Sequence, residues 1–206
     1  MYISEPFQIK QTQHMYKVIK DNSFATIFSL HNGKPYATHI PLWLTPDETC
    51  LIGHISRLNE QWIDISHQEV LVVFQGPHCY ISPNYYENQL AVPTWNYVVV
   101  HVYGKVELLD SSDPLLISSM IEMAQKYEKT SNHYSINNLN TVLLKKLMTE
   151  IVGLKININK MEGKAKLSQN HSVQRRKHII EHLRKSESEN ERKIADLLEE
   201  TIDNLN

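Results

Sequence analysis

The chain is poor in the residue patterns that most often announce a catalytic site. It has two cysteines, Cys50 and Cys79, without CxxC spacing, so neither a zinc site nor a disulfide framework is indicated. Its six glycines include no GxGxxG and no P-loop, which removes the usual phosphate-cradling loops of dinucleotide and nucleoside-triphosphate sites. GxSxG is also missing, and Cys79 points to the opposite strand face from His78, so nucleophilic hydrolysis is discounted. No apolar run approaches membrane-spanning length, and Met1-Tyr-Ile-Ser-Glu-Pro6 lacks the charged and apolar regions of a secretory leader. A soluble cytoplasmic protein, not a membrane one, is therefore expected. A strong charge of one sign is lacking too. The net charge of -2 over 206 residues argues against broad attraction to nucleic acid or anionic lipid, while leaving room for a local basic patch.

What the chain does have is concentrated in Gln75 to Pro83 and Val92 to Tyr97. Both segments carry aromatics, amides and prolines, the first also a histidine, and they stand between the apolar runs Val70 to Phe74 and Val98 to Val102. Read as loops, they have little need for such side chains. A concave site does need them, because flat aromatics stack on a ring and amides and imidazoles supply directed hydrogen bonds. The plainer alternative is that Trp95 and Tyr80 plug the end of a barrel.

Hydrophobic periodicity gives a mainly antiparallel β architecture with helices, an α+β class. Gln11 to Asn22 reads as a helix, Phe24 to Leu30 as a strand, and Asn32-Gly33 as a hairpin turn. The returning strand, Tyr36 to Leu44, places Thr38, Ile40, Leu42 and Leu44 on one face and His39, Pro41 and Trp43 on the other. Cys50 to Ile55 is a strand feeding a helix near Asn59, and Glu69 to Gln75 is apolar enough to be central. Tyr97 to Leu109 is the longest strand, with a bulge expected at Gly104. Asp113-Pro114 starts a helix, Leu139 to Met148 reads as another, and Ile151 to Met161 returns to strand. From His171 the chain turns charged and helical. Ser186 to Glu189 offers a capping box, and Ile194, Leu198, Ile202 and Leu205 form one stripe. The expected organisation is a barrel domain over 1–170 and a helical extension over 171–206.

Four constellations could carry chemistry. Gly53 to Asn59 presents a strand end before a helix start, where Ser56, Arg57 and Asn59 could hold a phosphate; a capped helix with a surface arginine explains the same residues. His39, His54, His78 and His101 lie in or beside strands. No pair has metal-ligand spacing, and a cofactor contact or a satisfied core histidine suits each better. Lys164 and Lys166 share a side of an extended segment and could reach an anion or a partner subunit, or remain solvated. Arg175-Arg-Lys177 opens the last helical region, yet no helix-turn-helix pair accompanies it.

Several of these segments recur together in one family. Thr38-His-Ile-Pro-Leu42, Gly53-His-Ile-Ser-Arg57 with Asn59 and Gln61-Trp62, Phe74 to His78, Tyr80 to Pro83, Val92 to Tyr97, and Glu162-Gly-Lys164 with Lys166 to Asn170 resemble the PaiB family. Its members are FMN-binding negative transcriptional regulators linked in bacilli to protease synthesis and sporulation. The resemblance implies an FMN-binding split β-barrel similar to the pyridoxamine phosphate oxidases, a homodimer, and flavin at the subunit interface. It places Thr38, His39, Ile40 and Pro41 along the isoalloxazine, and Ser56 and Arg57 at the phosphate. Gln75 falls at the ring edge, and Trp95 and Asn96 at the site mouth. His54, Asn59, Lys164 and Lys166 complete the expected cofactor-binding set. One departure is plain: the oxidases carry Arg-Lys where this chain has Arg57-Leu58, and Lys164 or Lys166 is the expected replacement. The resulting expectation is an FMN-binding, PaiB-like repressor whose direct contact with DNA is not evident. A flavin-dependent oxidoreductase acting on a small molecule, or a haem-binding split barrel, is the alternative.

Overall fold

The computed structural model describes residues 1–87, 91–128 and 146–203. The expected helix over 139–148 falls largely outside them, as does Leu205.

Phe24–His31 (β2) and Lys34–Leu44 (β3) form the predicted hairpin, with His31 opposite Lys34. Its turn needs two positive φ angles, which Asn32 (51°) and Gly33 (71°) supply. The face division expected in β3 holds: Ile40, Leu42 and Leu44 are buried, while His39 is exposed and Pro41 and Trp43 are half-buried. Cys50–Ser56 (β4) pairs with β3 on one side and with the start of Ile151–Lys166 (β7) on the other. Gln8–Ile9 (β1) pairs with the far end of β7, Gln8 opposite Lys164. Glu69–Ile81 (β5) and Thr94–Leu109 (β6) complete the sheet. The strand order is β1-β7-β4-β3-β2-β5-β6, and β7 also pairs with β6, so the sheet closes. β5 lies between β2 and β6, as its apolar sequence predicts.

Two sequence expectations change here. The segments read as loops are strand: β5 runs on to Ile81 and β6 begins at Thr94. Polar and aromatic residues there alternate with buried Cys79, Ile81, Asn96 and Val98, a period of two that their polarity hides. Gly104 lies within β6, where a Cβ would stand 2.3 Å from the Asn157 carbonyl oxygen. Close approach of backbone explains this glycine.

Contacts divide the chain into two compact units. One comprises residues 22–74 and 101–161. Its strands bury Ala25, Ile27, Ile40, Leu42, Leu51 and Ile55 on the inner face. On the other face of β4, Cys50 and Ile52 pack with Leu116 of helix α2 (Pro114–Tyr127) and with Met148. That helix starts as predicted, with the Asp113 carboxylate accepting from the Leu115 N–H at 2.8 Å.

The other unit comprises residues 1–21, 75–100 and 162–206. Here helices α1 (Thr12–Asp21), α3 (Val173–Arg184) and α4 (Glu189–Asp203) meet the ends of β5, β6 and β7. Cys79, Ile81, Val98 and Leu167 share one core with Ile179 and Leu183 of α3 and with Ile194, Leu198 and Ile202 of α4. The C-terminal stripe is thus a core face. Its cap is Ser188, whose hydroxyl receives the Glu191 N–H and whose carbonyl receives that of Arg192, and not Ser186. No helix among the described residues is long and apolar enough to cross a membrane.

Candidate functional site

The sequence-predicted site residues fall into two groups, one in each unit. In the unit of residues 22–74 and 101–161, β3 carries Thr38, His39, Ile40 and Pro41. Their alternation sends Ile40 into the core and leaves His39 exposed. The His39 ring stacks on Phe24 and its Nδ1 lies 2.9 Å from the Thr26 hydroxyl. Across the sheet, β4 ends in His54 and Ser56. Burial pushes the His54 imidazole below the usual histidine range, so it is neutral near pH 7.

After Ser56 the expected helix is only a single 3-10 turn, Glu60–Ile63. Its peptides are too few to sum to a useful dipole, so the helix-terminus argument for a phosphate fails. Asn59 does cap the turn, its Oδ1 accepting from the Gln61 N–H at 3.0 Å. Its Nδ2 donates to the Thr38 hydroxyl at 2.9 Å, tying the strand to the turn. Asn59 therefore positions its neighbours. Arg57 donates from Nε to the Thr149 carbonyl at 2.7 Å and from Nη2 to the Ile151 carbonyl at 2.8 Å. Trp62, whose indole N–H donates to the Arg57 carbonyl, lies beneath the guanidinium at 5.9 Å. Leu58, where the oxidases have a cation, is 87 % exposed and offers no charge.

In the unit of residues 1–21, 75–100 and 162–206, Gln75, His78, Trp95 and Tyr97 line a concavity of about 330 Å³ with Val98 and Val99. The Trp95 ring meets Tyr80 edge-on at 5.9 Å and His78 at 6.4 Å, which fixes its plane while 53 % of the residue stays exposed. The Gln75 amide nitrogen is 3.4 Å from His78 Nδ1. This is a flat aromatic wall, an apolar floor and two edge groups that can donate or accept. A volume near the bottom of the range for small-molecule sites suits a ring system better than a whole nucleotide. The donor set fits the ring end of a flavin.

The neighbouring predicted residues behave differently. Asn96 faces inward, fully buried, with Nδ2 donating to Ser168 Oγ at 3.1 Å. The strand period sets Trp95 and Asn96 on opposite faces, so they do not share a rim. Lys164 is buried, donates to the Tyr2 carbonyl at 3.2 Å, and sits over the rings of Tyr2 and Tyr97 at 5.5 and 5.4 Å. Lys166 bonds the Thr94 hydroxyl. His78, Tyr80 and Tyr97 lie in the two aromatic and amide segments that the sequence singles out, His78 and Tyr97 lining the concavity and Tyr80 meeting Trp95 edge-on.

The basic run at the start of α3 is not a surface patch. Arg175 grips Glu87 and lies over the Tyr86 ring, and Arg176 is buried with Nη1 on Thr201. Both cysteines are free and buried, and burial pushes the Cys79 thiol up to about 12. Among the described residues, no three His, Cys, Asp or Glu side chains gather as a metal ion requires.

Comparison with known proteins agrees with the fold and adds a family. Residues 1–160 match the family model described as "Putative FMN-binding domain". The chain is 36 % identical to Protease synthase and sporulation protein PAI 2 of Bacillus subtilis (strain 168), over 98 % of both chains. It is 27 % identical to an uncharacterized protein of Emericella nidulans, covering 82 % of this chain and 84 % of that one. Among solved structures, the FAD and heme binding protein from Mycobacterium smegmatis superposes with a TM-score of 0.57 at 13 % identity, covering 77 % of this chain and 73 % of that one. At that identity the match speaks for the fold alone, which is that of the split-barrel flavoproteins.

Proposed function

The chain belongs to the FMN-binding domain family, with FMN as its cofactor, and on that premise we propose that it is a PaiB-like negative regulator of transcription acting on protease synthesis and sporulation. The observation that carries this reading is the match to the Bacillus subtilis protein, which leaves almost no part of either chain uncovered. The proposal includes a cytoplasmic homodimer.

Two separate assignments follow for the cofactor. Gln75 and Trp95, with His78 and Tyr97, take the isoalloxazine: Trp95 supplies the stacking face, and the Gln75 amide, steadied by His78, addresses the ring edge. Ser56 and Arg57 take the phosphate, Arg57 with the N–H groups not already given to Thr149 and Ile151. The β3 strand from Thr38 to Pro41, with His54, belongs to the same unit as Ser56 and Arg57 and is assigned to the cofactor with them. Lys164 and Lys166 act at a distance, through the Tyr2, Tyr97 and Thr94 contacts they hold in place. Bound flavin would supply one- or two-electron redox chemistry.

The α3 basic run does not support direct contact with DNA, since two of its three cations are engaged within the protein. Repression through a partner, or through a surface built by the dimer, fits better. The test is a salt-titrated binding assay of the FMN-loaded protein on its candidate operator and on random DNA. Operator binding that exceeds random DNA by at least about tenfold supports direct repression. Equal binding supports repression through a partner, while flavin absorbance of the same sample judges the cofactor independently.

A further inference from the structure

Lys164, near the end of β7, is only 8 % exposed, and its ammonium is buried without a carboxylate. Its partners among the described residues are the Tyr2 carbonyl and the faces of the Tyr2 and Tyr97 rings. The closest carboxylate along the strand, Glu162, is taken by the Met1 ammonium. A buried charge held only by a carbonyl and two rings costs free energy to desolvate. Such a group is retained either to anchor its aromatic neighbours or for the field it casts on what lies beside them.

What lies beside them is the ring concavity, since Tyr97 is one of its walls. Lys166, two residues further along β7, bonds the hydroxyl of Thr94, the residue before Trp95. No carboxylate lines the concavity, whose side chains are aliphatic, aromatic, amide and imidazole. The charges around it leave a positive balance. Glu87 is held by Arg175, and Glu162 by Met1. Glu191 acts on Cys79 and Tyr85, which pack into the helical core. Against that one carboxylate stand two ammonium groups, each in contact with a residue in or next to the aromatic wall.

With the isoalloxazine placed in this concavity as proposed above, we propose that Lys164 and Lys166 make the site selective for redox state, favouring the reduced, anionic ring over the oxidised, neutral one. The two states differ by two electrons and one proton, the proton going to N5 and the added charge resting near N1. A neutral ring gains little from a nearby ammonium. An anionic ring gains much, and more so in a site of low dielectric such as the one that buries Lys164. A lysine that only anchored Tyr2 and Tyr97 would serve both states alike. The pair are specificity-determining residues, and they bind the reduced cofactor in preference without touching its phosphate.

The experiment uses full-length protein loaded with FMN and reduced anaerobically with dithionite against a dye of known potential. Lys164→Met keeps the aliphatic stem and removes the charge. It should weaken reduced FMN at least about tenfold more than oxidised FMN, a fall in midpoint potential of at least about 30 mV for a two-electron couple. Lys164→Arg keeps the charge and should hold the potential close to that of the wild type. Should Lys164→Met fail to fold, Lys166→Met, at a part-buried position, decides by lowering the potential in the same direction. A potential unmoved by the charge-removing variant, while Trp95→Ala weakens FMN, overturns the redox selectivity and leaves the ring assignment standing. FMN binding undisturbed by Trp95→Ala overturns both.

Discussion

Arg175 and Glu87 meet as a forked ion pair, Nη2 to Oε1 at 2.7 Å and Nε to both carboxylate oxygens at 3.1 Å, with the Arg175 guanidinium lying over the Tyr86 ring. The pair takes the first cation of the Arg175-Arg-Lys177 run out of circulation and ties α3 to the end of β5's following turn. It also holds the Glu87 carboxyl down at about 2, chiefly through the hydrogen bonds from Arg175.

A carboxyl depressed in the folded state adds stability above its ordinary value, near 4.5, and loses it as the pH falls toward about 2. Glu87→Gln should therefore melt at a lower temperature than the wild type at pH 7. The two melting curves should converge as the pH is lowered through that window. A gap that is constant with pH would show that the pair does not set the shift.

Arg57→Ala should weaken FMN by about tenfold or more, because a charge-assisted fork to a phosphate is lost. Arg57→Lys restores the charge without the fork and should recover only part of the affinity. Titration by flavin fluorescence measures both. Unchanged affinity in the alanine variant would remove the phosphate assignment.

Asn96→Ala should lower stability by about 1–3 kcal/mol, since it leaves the buried Ser168 hydroxyl without its partner. Its effect should appear in denaturant unfolding, with little change in flavin affinity. The reverse pattern would mean that Asn96 touches the cofactor. Trp95→Ala, at a half-exposed position, should show the opposite balance: weak flavin binding with stability nearly retained.

Gly104→Ala should be severe. A methyl group there would stand 2.3 Å from the Asn157 carbonyl oxygen, which is backbone and cannot swing aside, and 2.8 Å from Ile156 Cγ2, so β6 and β7 must separate. A loss of about 3 kcal/mol or more is expected from such overpacking, read as a drop in the unfolding midpoint.

Much of the fold is written in local pattern. The Asn32-Gly33 hairpin, the two faces of β3, the Asp113 cap and the apolar stripe of α4 each rest on interactions within a few residues, and each is found where the sequence places it. The candidate site is less legible. Segments 75–81 and 94–97 look like loops because their polar residues mask a strand period, and the strand is revealed only by which side of it becomes buried. The turn at Glu60 looks like a helix start because an Asn cap is the same for one turn or for four.

The sequence by itself determined the family, the strand pairs joined by tight turns and the aromatic and amide content of the site, because these are properties of residue order. Tertiary structure alone decided which of those residues are available. It turned Asn96 inward onto Ser168, closed Tyr2 and Tyr97 around Lys164, and committed Arg175 to Glu87 and Arg176 to Thr201. Burial and pairing join residues distant in the chain, and no local pattern records them.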